Sequence, residues 1–364
     1  MSGMIAQVIL WRQIEVRLLL VVKFPPMTAT SLSTLVMTNS NMEIRILSAQ
    51  DVRLALSMPA AIDAMRMAFS ELAGNVVQSP QRLAIETQAG VALFMPAFLQ
   101  ESQTLAQKIV SVFPGNSGRG LPTITGLVIV LDAETGAPLA LLEGGALTSI
   151  RTGATSGLAT ELLARPDSRI LALIGAGGQA YDQVRAVMAV REIDEVRIVS
   201  MGGQSAKALA HRLQTEGVNA WATKTREAVQ GADIITTVTT STTPVFLDAD
   251  VAPGAHINLV GAYTPEMQEA PAATIIRSRV FVDDVMAAVH EAGDIIKPIR
   301  ANLYSTQELA GTLGELVLGL VEGRVSQSDI TIFKSVGLAV QDAAAAGLAL
   351  RLAEEKGLGH MFTL

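Results

Sequence analysis

Two features of this sequence carry residue types able to do chemistry. The first is Gly175-x-Gly177-x-x-Ala180, which follows the apolar run Ile170 to Ile174. Where a buried strand turns into a helix, the first glycine allows the tight turn and the second lets a pyrophosphate approach the backbone. A small third residue lets the helix lie close to the strand, with its N-terminal amides facing the phosphates. The spacing points to dinucleotide binding, against the plainer reading of a bare strand-to-helix turn. The second feature is Lys108, inside the largely apolar stretch Ala106 to Val112. An amine there either reaches back to solvent or is held in an apolar place. If held, desolvation lowers its pKa and makes proton exchange with a substrate nitrogen feasible.

These residues need elements to position them. Before about Thr148 the chain is rich in strands without a βαβ rhythm. Strands are expected at Glu43 to Leu47, Gln81 to Glu86, Val91 to Ala97 and Ala106 to Val112. A hairpin is expected from Gly126 to Asp132 and Pro138 to Glu143, and a helix capped by Ser48 precedes one over Pro59 to Leu72. Ser149 to Leu163 reads as a helix of small residues, which places Arg151 and Thr152 at its start, where positive charge beside helix amides makes an anion site. From Ile170 onward strand and helix alternate, as in a parallel sheet covered on both faces. Helices are expected at Gln307 to Leu313, Leu316 to Glu322 and Val336 to Lys356, the last packing back on the first half.

The fold class that follows is α/β: a Rossmann-type doubly wound nucleotide-binding domain plus a mixed α+β domain. The expected divisions are 1–41 as an extension outside the fold, 42–147 with 333–364 as the mixed domain, and 148–332 as the nucleotide domain. Within the extension, Leu18 to Val22 is apolar but too short to span a bilayer.

Composition narrows the function. The chain is 49% hydrophobic and 17% charged, as expected of a packed globular enzyme. Its net charge of −7 and pI of about 5.2 come without a basic stripe, which argues against a nucleic-acid partner. No cysteine is present, so disulfides and thiolate catalysis are excluded. The four histidines show no ligand spacing, and no metal site is expected. Asp283-Asp284 reads better as a polar strand end than as a metal pair. A cytoplasmic protein without a membrane partner is expected.

Several segments together resemble the ornithine cyclodeaminase/mu-crystallin family. They are Met95-Pro96-Ala97, Lys108 to Asn116, Leu121-Pro122-Thr123, Ser149 to Ala154, the Gly175 turn, Gly231 to Ile235 and Phe333-Lys334-Ser335-Val336-Gly337. The resemblance implies NAD(P) as cofactor, a small amino or imino acid as substrate, and a homodimer, with 42–147 and 333–364 as a mixed α+β substrate and dimerisation domain. It places the substrate-carboxylate arginine at Arg82, whose planar guanidinium suits two parallel hydrogen bonds; taken alone, a lone arginine is more often a surface ion pair. It puts a substrate-contacting lysine at Lys108. It brings Arg151 and Thr152 to the cofactor, with Gly175, Gly177, Gly178 and Gln179 at the pyrophosphate. Thr123, Ser200, Thr237, Val260, Gly261 and Ser335 correspond to further cofactor positions, although a strand-end hydroxyl or helix cap accounts equally for Thr237 and Ser335. Ser200-Met201-Gly202-Gly203 has no acid to repel a 2′-phosphate, which leans towards NADP, and no arginine to hold one.

The chain also departs from the family's cyclodeaminases. Their acid–base aspartate is Tyr263 here, a second acid corresponds to Leu93, and a following lysine is Met267. Tyrosine can donate a hydrogen bond into a substrate pocket but is a poor base at neutral pH. The first expectation is therefore an NAD(P)-dependent oxidoreductase, a cyclic-imine reductase such as a pyrroline-2-carboxylate reductase or an alanine-type dehydrogenase. The alternatives are an ornithine cyclodeaminase in which Glu266 or Glu269 replaces the missing acid, and a non-catalytic NADPH-binding protein resembling the crystallin.

Overall fold

Period-two alternation builds the first sheet from β1 (Glu43–Leu47), β2 (Val77–Gln78), β3 (Leu83–Glu86), β4 (Val91–Leu99), β5 (Thr104–Val112), β6 (Ile124–Leu131) and β7 (Pro138–Glu143) in a computed structural model that describes residues 42–364. One face of this sheet buries Met95, Ala97, Leu99, Ala106, Val128, Val130, Ala140 and Leu142. Against it pack α1 (Ala49–Ala55), α2 (Met58–Ala73) and α3 (Gly144–Leu163). Ser48 and Asp51 cap α1 reciprocally, the Asp51 carboxylate accepting from the Ser48 amide at 2.9 Å. The expectations for the first 41 residues lie outside the described residues.

The second sheet contains β8 (Ile170–Ile174), β9 (Glu195–Val199), β10 (Ala220–Ala222), β11 (Ile234–Thr237), β12 (His256–Leu259), β13 (Arg279–Val282), β14 (Gly311–Thr312) and β15 (Thr331–Lys334). Its order is β10–β9–β8–β11–β12–β15–β13–β14, and every pair is parallel. The order runs one way from β8 through β9 to β10 and the other way from β8 to β11. That reversal leaves a crevice at the carboxyl ends of β8 and β11, where such sheets bind ligands. Around the sheet lie α4 (Ala180–Val190), α5 (Gln204–Thr215), α6 (Thr225–Val229), α7 (Ala272–Ile276), α8 (Val285–Glu291), α9 (Gly293–Arg300) and α10 (Leu313–Val317). Finally α11 (Ala339–Glu355) returns to the first sheet, and β16 (His360–Thr363) pairs antiparallel with β1. The first sheet thus reads β16–β1–β7–β6–β5–β4–β2, with β3 also on β4.

Small residues set the spacing of the layers. On α3, a methyl at Gly153 would lie 2.6 Å from the Asp182 carbonyl oxygen, and one at Gly157 would lie 3.1 Å from that of Ala186. The helix of small residues is therefore what lets α4 come close to α3.

Four expectations need correction. Arg82 precedes β3 instead of lying on a strand. The helix expected from Ser149 begins at Gly144, because Glu143 accepts from the amides of Gly145 and Ala146, both at 2.7 Å. Arg151 and Thr152 therefore stand well inside α3, not at its start, and the anion-site reading at a helix N-terminus fails. The two helices expected between Gln307 and Glu322 reduce to a 3-10 turn at Thr306–Glu308, the strand β14 and the short α10. Capping boxes at Ser305 and Thr312 start these turns, while Gly311 at φ +145° and Gly319 at φ +68° limit their length. The helix expected from Val336 begins at Ala339, after Gly337 at φ +83°. Among the described residues no helix is long and apolar enough to cross a membrane.

Candidate functional site

Alternation on β5 places Thr104, Ala106 and Lys108 on the inner face, so the Lys108 amine points into the protein beneath α11. Only 4% of the residue is exposed. Its Nζ meets the Asp342 Oδ2 at 2.6 Å, and the other Asp342 oxygen accepts from Arg151 Nε at 2.9 Å. Arg151 also donates to Gln341 Oε1 at 2.6 Å, whose amide group donates on to Thr155. Burial lowers the Lys108 amine to about 8; Asp342 opposes the shift, while the charges of Arg151 and Arg82 add to it. Burial would raise Asp342, but Arg151 and Lys108 together bring its carboxyl below the ordinary value.

Gly337 links this cluster to Arg82. The Arg82 Nη2 donates to the Gly337 carbonyl at 2.7 Å and contacts Glu291 Oε2 at 2.9 Å. A methyl on Gly337 would sit 2.9 Å from Arg151 Nη1, so only glycine lets the guanidinium approach so closely. The Gly337 amide donates to Asp283 Oδ2 at 2.9 Å; that oxygen also accepts from the Val336 amide at 2.7 Å and the Ser335 hydroxyl at 3.0 Å. Asp283 is thus the anchor of this turn, and Asp284 caps α8 through the Ala287 amide. Arg82, Met95, His290, Glu291 and Gly337 line a cavity of about 250 Å³ between the first sheet and α8. Met95 is the cross-strand partner of Lys108.

A second group of expected residues gathers at the carboxyl ends of β8, β11 and β12. Gly175 has φ +106°, and a methyl there would lie 2.5 Å from the Val238 carbonyl oxygen, so the turn presses against the strand end. Gly177 and Gly178 face open space. Thr237 Oγ1 and Gln179 Oε1 are buried without a hydrogen-bond partner within the described residues. Val260 and Gly261 follow β12, and Gly261 is packed so tightly that a methyl would fall 2.0 Å from the Thr239 carbonyl oxygen. A phosphate-accessible glycine turn beside orphaned polar atoms at a strand-order reversal fits a dinucleotide.

Other expected residues make local contacts within the protein. The Thr152 hydroxyl is spent on the Thr148 carbonyl at 2.6 Å. Ser200 accepts from the Ala206 amide at 3.0 Å and so supports the start of α5. Thr123 is exposed before β6, its carbonyl taking the Phe113 amide. Tyr263 is half-buried on the loop after β12 and does not line the Arg82 cavity.

Sequence reasoning missed Asp342, Gln341, Asp283 and Glu291 as members of the cluster. A signal existed for the first two, since a Gln-Asp pair interrupts the apolar face of an alanine-rich helix. Glu291 offered none. The acids weighed as replacements for the cyclodeaminase aspartate are otherwise placed. Glu266 is exposed, whereas Glu269 is fully buried and accepts from the amides of Thr239, Gly261 and Ala262 at 2.7, 2.7 and 3.1 Å. Among the described residues no group of His, Cys, Asp or Glu could hold a metal ion.

Residues 42–356 match the ornithine cyclodeaminase/mu-crystallin family. A Delta(1)-pyrroline-2-carboxylate reductase of Bacillus cereus is 39% identical over 320 residues, covering 86% of this chain and 98% of that protein. The structure of Thermococcus litoralis Delta(1)-pyrroline-2-carboxylate reductase in complex with NADH and L-proline superposes with a TM-score of 0.84 at 38% identity, over 87% of this chain and 99% of the other. An archaeal alanine dehydrogenase dimer with bound NAD gives a TM-score of 0.84 at 35% identity, over 89% and 100%. With its strand order, glycine turn and buried lysine, the chain belongs to the ornithine cyclodeaminase/mu-crystallin family.

Proposed function

We propose that this protein is an NAD(P)-dependent oxidoreductase that reduces a small cyclic imino acid of the pyrroline-2-carboxylate type. The observation that carries the reading is the gathering of three cations around the Gly337 turn: Arg82 donates to the Gly337 carbonyl, Arg151 packs against the same glycine, and Arg151 and Lys108 share the Asp342 carboxylate, which brings a guanidinium suited to a carboxylate near a buried amine suited to an imine nitrogen. In this reading Arg82 holds the substrate carboxylate, and Lys108 donates a hydrogen bond and then a proton to the nitrogen. Asp342 holds the ammonium in place between turnovers. A reduced nicotinamide held at the Gly175 turn would supply the hydride that the substrate's C2 takes up. Tyr263 offers a hydrogen-bond donor from the β12 side. Orientation of the reacting groups is the main contribution expected of the protein.

The cofactor side comprises 148–332, with Gly175, Gly177, Gly178, Gln179, Thr237, Val260 and Gly261 along the dinucleotide and Ser335 beside it. The substrate side comprises 42–147 with 333–364. NADP is favoured, because the loop Ser200–Gly203 after β9 presents no acid to a 2′-phosphate. Glu269 supports the reductase over the cyclodeaminase, since a carboxylate fully engaged by three amides is no free base. A homodimer fits the exposed apolar face of the first sheet, formed by Ile46, Leu83, Ile85, Ile109, Leu127 and Leu139. Dependence on reduced nicotinamide supports a cytoplasmic location.

The test is turnover with pyrroline-2-carboxylate, followed by nicotinamide absorbance with NADPH and NADH in parallel. Reduction with either coenzyme, faster with NADPH, is the expected result. No turnover across cyclic imines and across 2-oxo acids with ammonia would overturn the reading, and proline with ammonia from ornithine would replace it with the cyclodeaminase.

A further inference from the structure

We infer that Glu291 is an internal stand-in for the substrate carboxylate at Arg82, and that its competition sets how tightly the pocket holds an anionic ligand. The inference deepens the proposed function and rests on its assignment of Arg82 to the carboxylate. Arg82 is not a free guanidinium: its Nη2 is shared by the Gly337 carbonyl at 2.7 Å and Glu291 Oε2 at 2.9 Å. Both charged side chains line the same cavity and retain similar partial exposure, 20% for Arg82 and 18% for Glu291.

The two contacts to Nη2 differ in kind. The Gly337 carbonyl belongs to a turn fixed by Asp283, so it stays and aims the guanidinium. Glu291 comes from α8, where Ala288 is the only buried residue and Met286 is exposed. It has no hydrogen bond to another group within the described residues; its Oε2 is otherwise unpartnered. Burial pushes the Glu291 carboxyl up, against the pull of Arg82, so the pair is held less firmly than its separation suggests. A carboxylate arriving from the cavity meets an arginine already neutralised by a like anion. It either displaces Glu291 or binds beside it, and in both cases the negative charge of Glu291 weakens binding.

The consequence is an unusual direction of effect. Glu291→Gln keeps the size and the contact to Arg82 but removes the charge, and it is expected to tighten anion binding about tenfold, about 1.4 kcal/mol. Loss of a purely structural ion pair would not improve affinity. The experiment compares wild type with Glu291→Gln in two ways: KM for pyrroline-2-carboxylate, and the calorimetric affinity of pyrrole-2-carboxylate against its neutral carboxamide. Support is a lower KM and tighter carboxylate binding in the variant, with the carboxamide unchanged. Unchanged or weaker carboxylate binding overturns the inference, because Glu291 would then be aiming Arg82 or touching the substrate nitrogen. An equal gain for the carboxamide overturns it too. If the wild type reduces no imine, the functional reading fails by itself, and the two binding affinities still decide the role of Glu291.

Discussion

Two buried lysines sit at opposite ends of comparable ion networks, and they differ in what surrounds their carboxylates. Lys108 meets Asp342, whose second oxygen serves Arg151, so two cations share one anion inside the protein. Lys334 is fully buried at the end of β15 and meets Asp294 at 3.1 Å. The Asp294 Oδ1 accepts from the Glu269 and Ala270 amides at 2.7 and 2.9 Å, and Glu269 in turn grips the loops after β11 and β12. Backbone donors complete the second network and tie down the dinucleotide edge. The first is left with excess positive charge beside a cavity. Burial of a lysine therefore does not identify chemistry; surplus cation beside a cavity is what suits an anionic substrate.

The largest effect that could break this contrast is Lys108→Ala. Turnover should fall by about 10² to 10⁴, the usual contribution of a positioned proton donor, while the melting temperature changes little, since Asp342 keeps Arg151. Equal turnover in the variant would move the proton donor elsewhere. Lys334→Met should act in the reverse sense, costing roughly 3–5 kcal/mol of stability through the stranded Asp294 charge. Denaturant unfolding measures this, and a stable variant with lost turnover would make Lys334 chemical.

A smaller effect sharpens the first cluster. The proposed proton donation needs Lys108 charged, so kcat/KM should decline as pH rises through about 8. Asp342 favours the charged amine, and Asp342→Asn should therefore move that decline to lower pH. A profile unmoved by the substitution would separate Asp342 from proton transfer. An effect on stability alone, seen only in acid, concerns His256, buried between Thr331 and Asn258. Burial holds its imidazole at about 3, far below the ordinary 6.5, so the folded state resists a proton that the unfolded chain accepts. Stability should fall as pH drops from about 6.5 towards 3, and His256→Gln should flatten that slope in melting curves taken across the range.

The nucleotide edge was the most legible part of the sequence, because a glycine turn depends on local backbone geometry that few residues satisfy. Lys108 was legible for a related reason: period-two alternation leaves a charged residue on β5 only two faces to choose from. Arg151 was recognised as important but misplaced, since Glu143 starts α3 earlier than the small-residue run suggested. Asp342 and Glu291 join the cluster only through tertiary packing, one across 191 positions from Arg151 and the other from a short helix that gave no periodic signal. Glu269 shows the converse. Its type and neighbourhood suggested a base, and only its three amide contacts reveal a clamp.

The pairing of β1 with β16 sets an order of events during synthesis. Glu43 lies opposite Thr363, and Arg45 donates to the Leu358 carbonyl across 313 positions. A nascent chain emerging from the ribosome can complete much of the second sheet while β1 still offers an unpaired flank to any neighbouring strand. That flank of β1 thus stays open until residues 360–363 arrive to cover it.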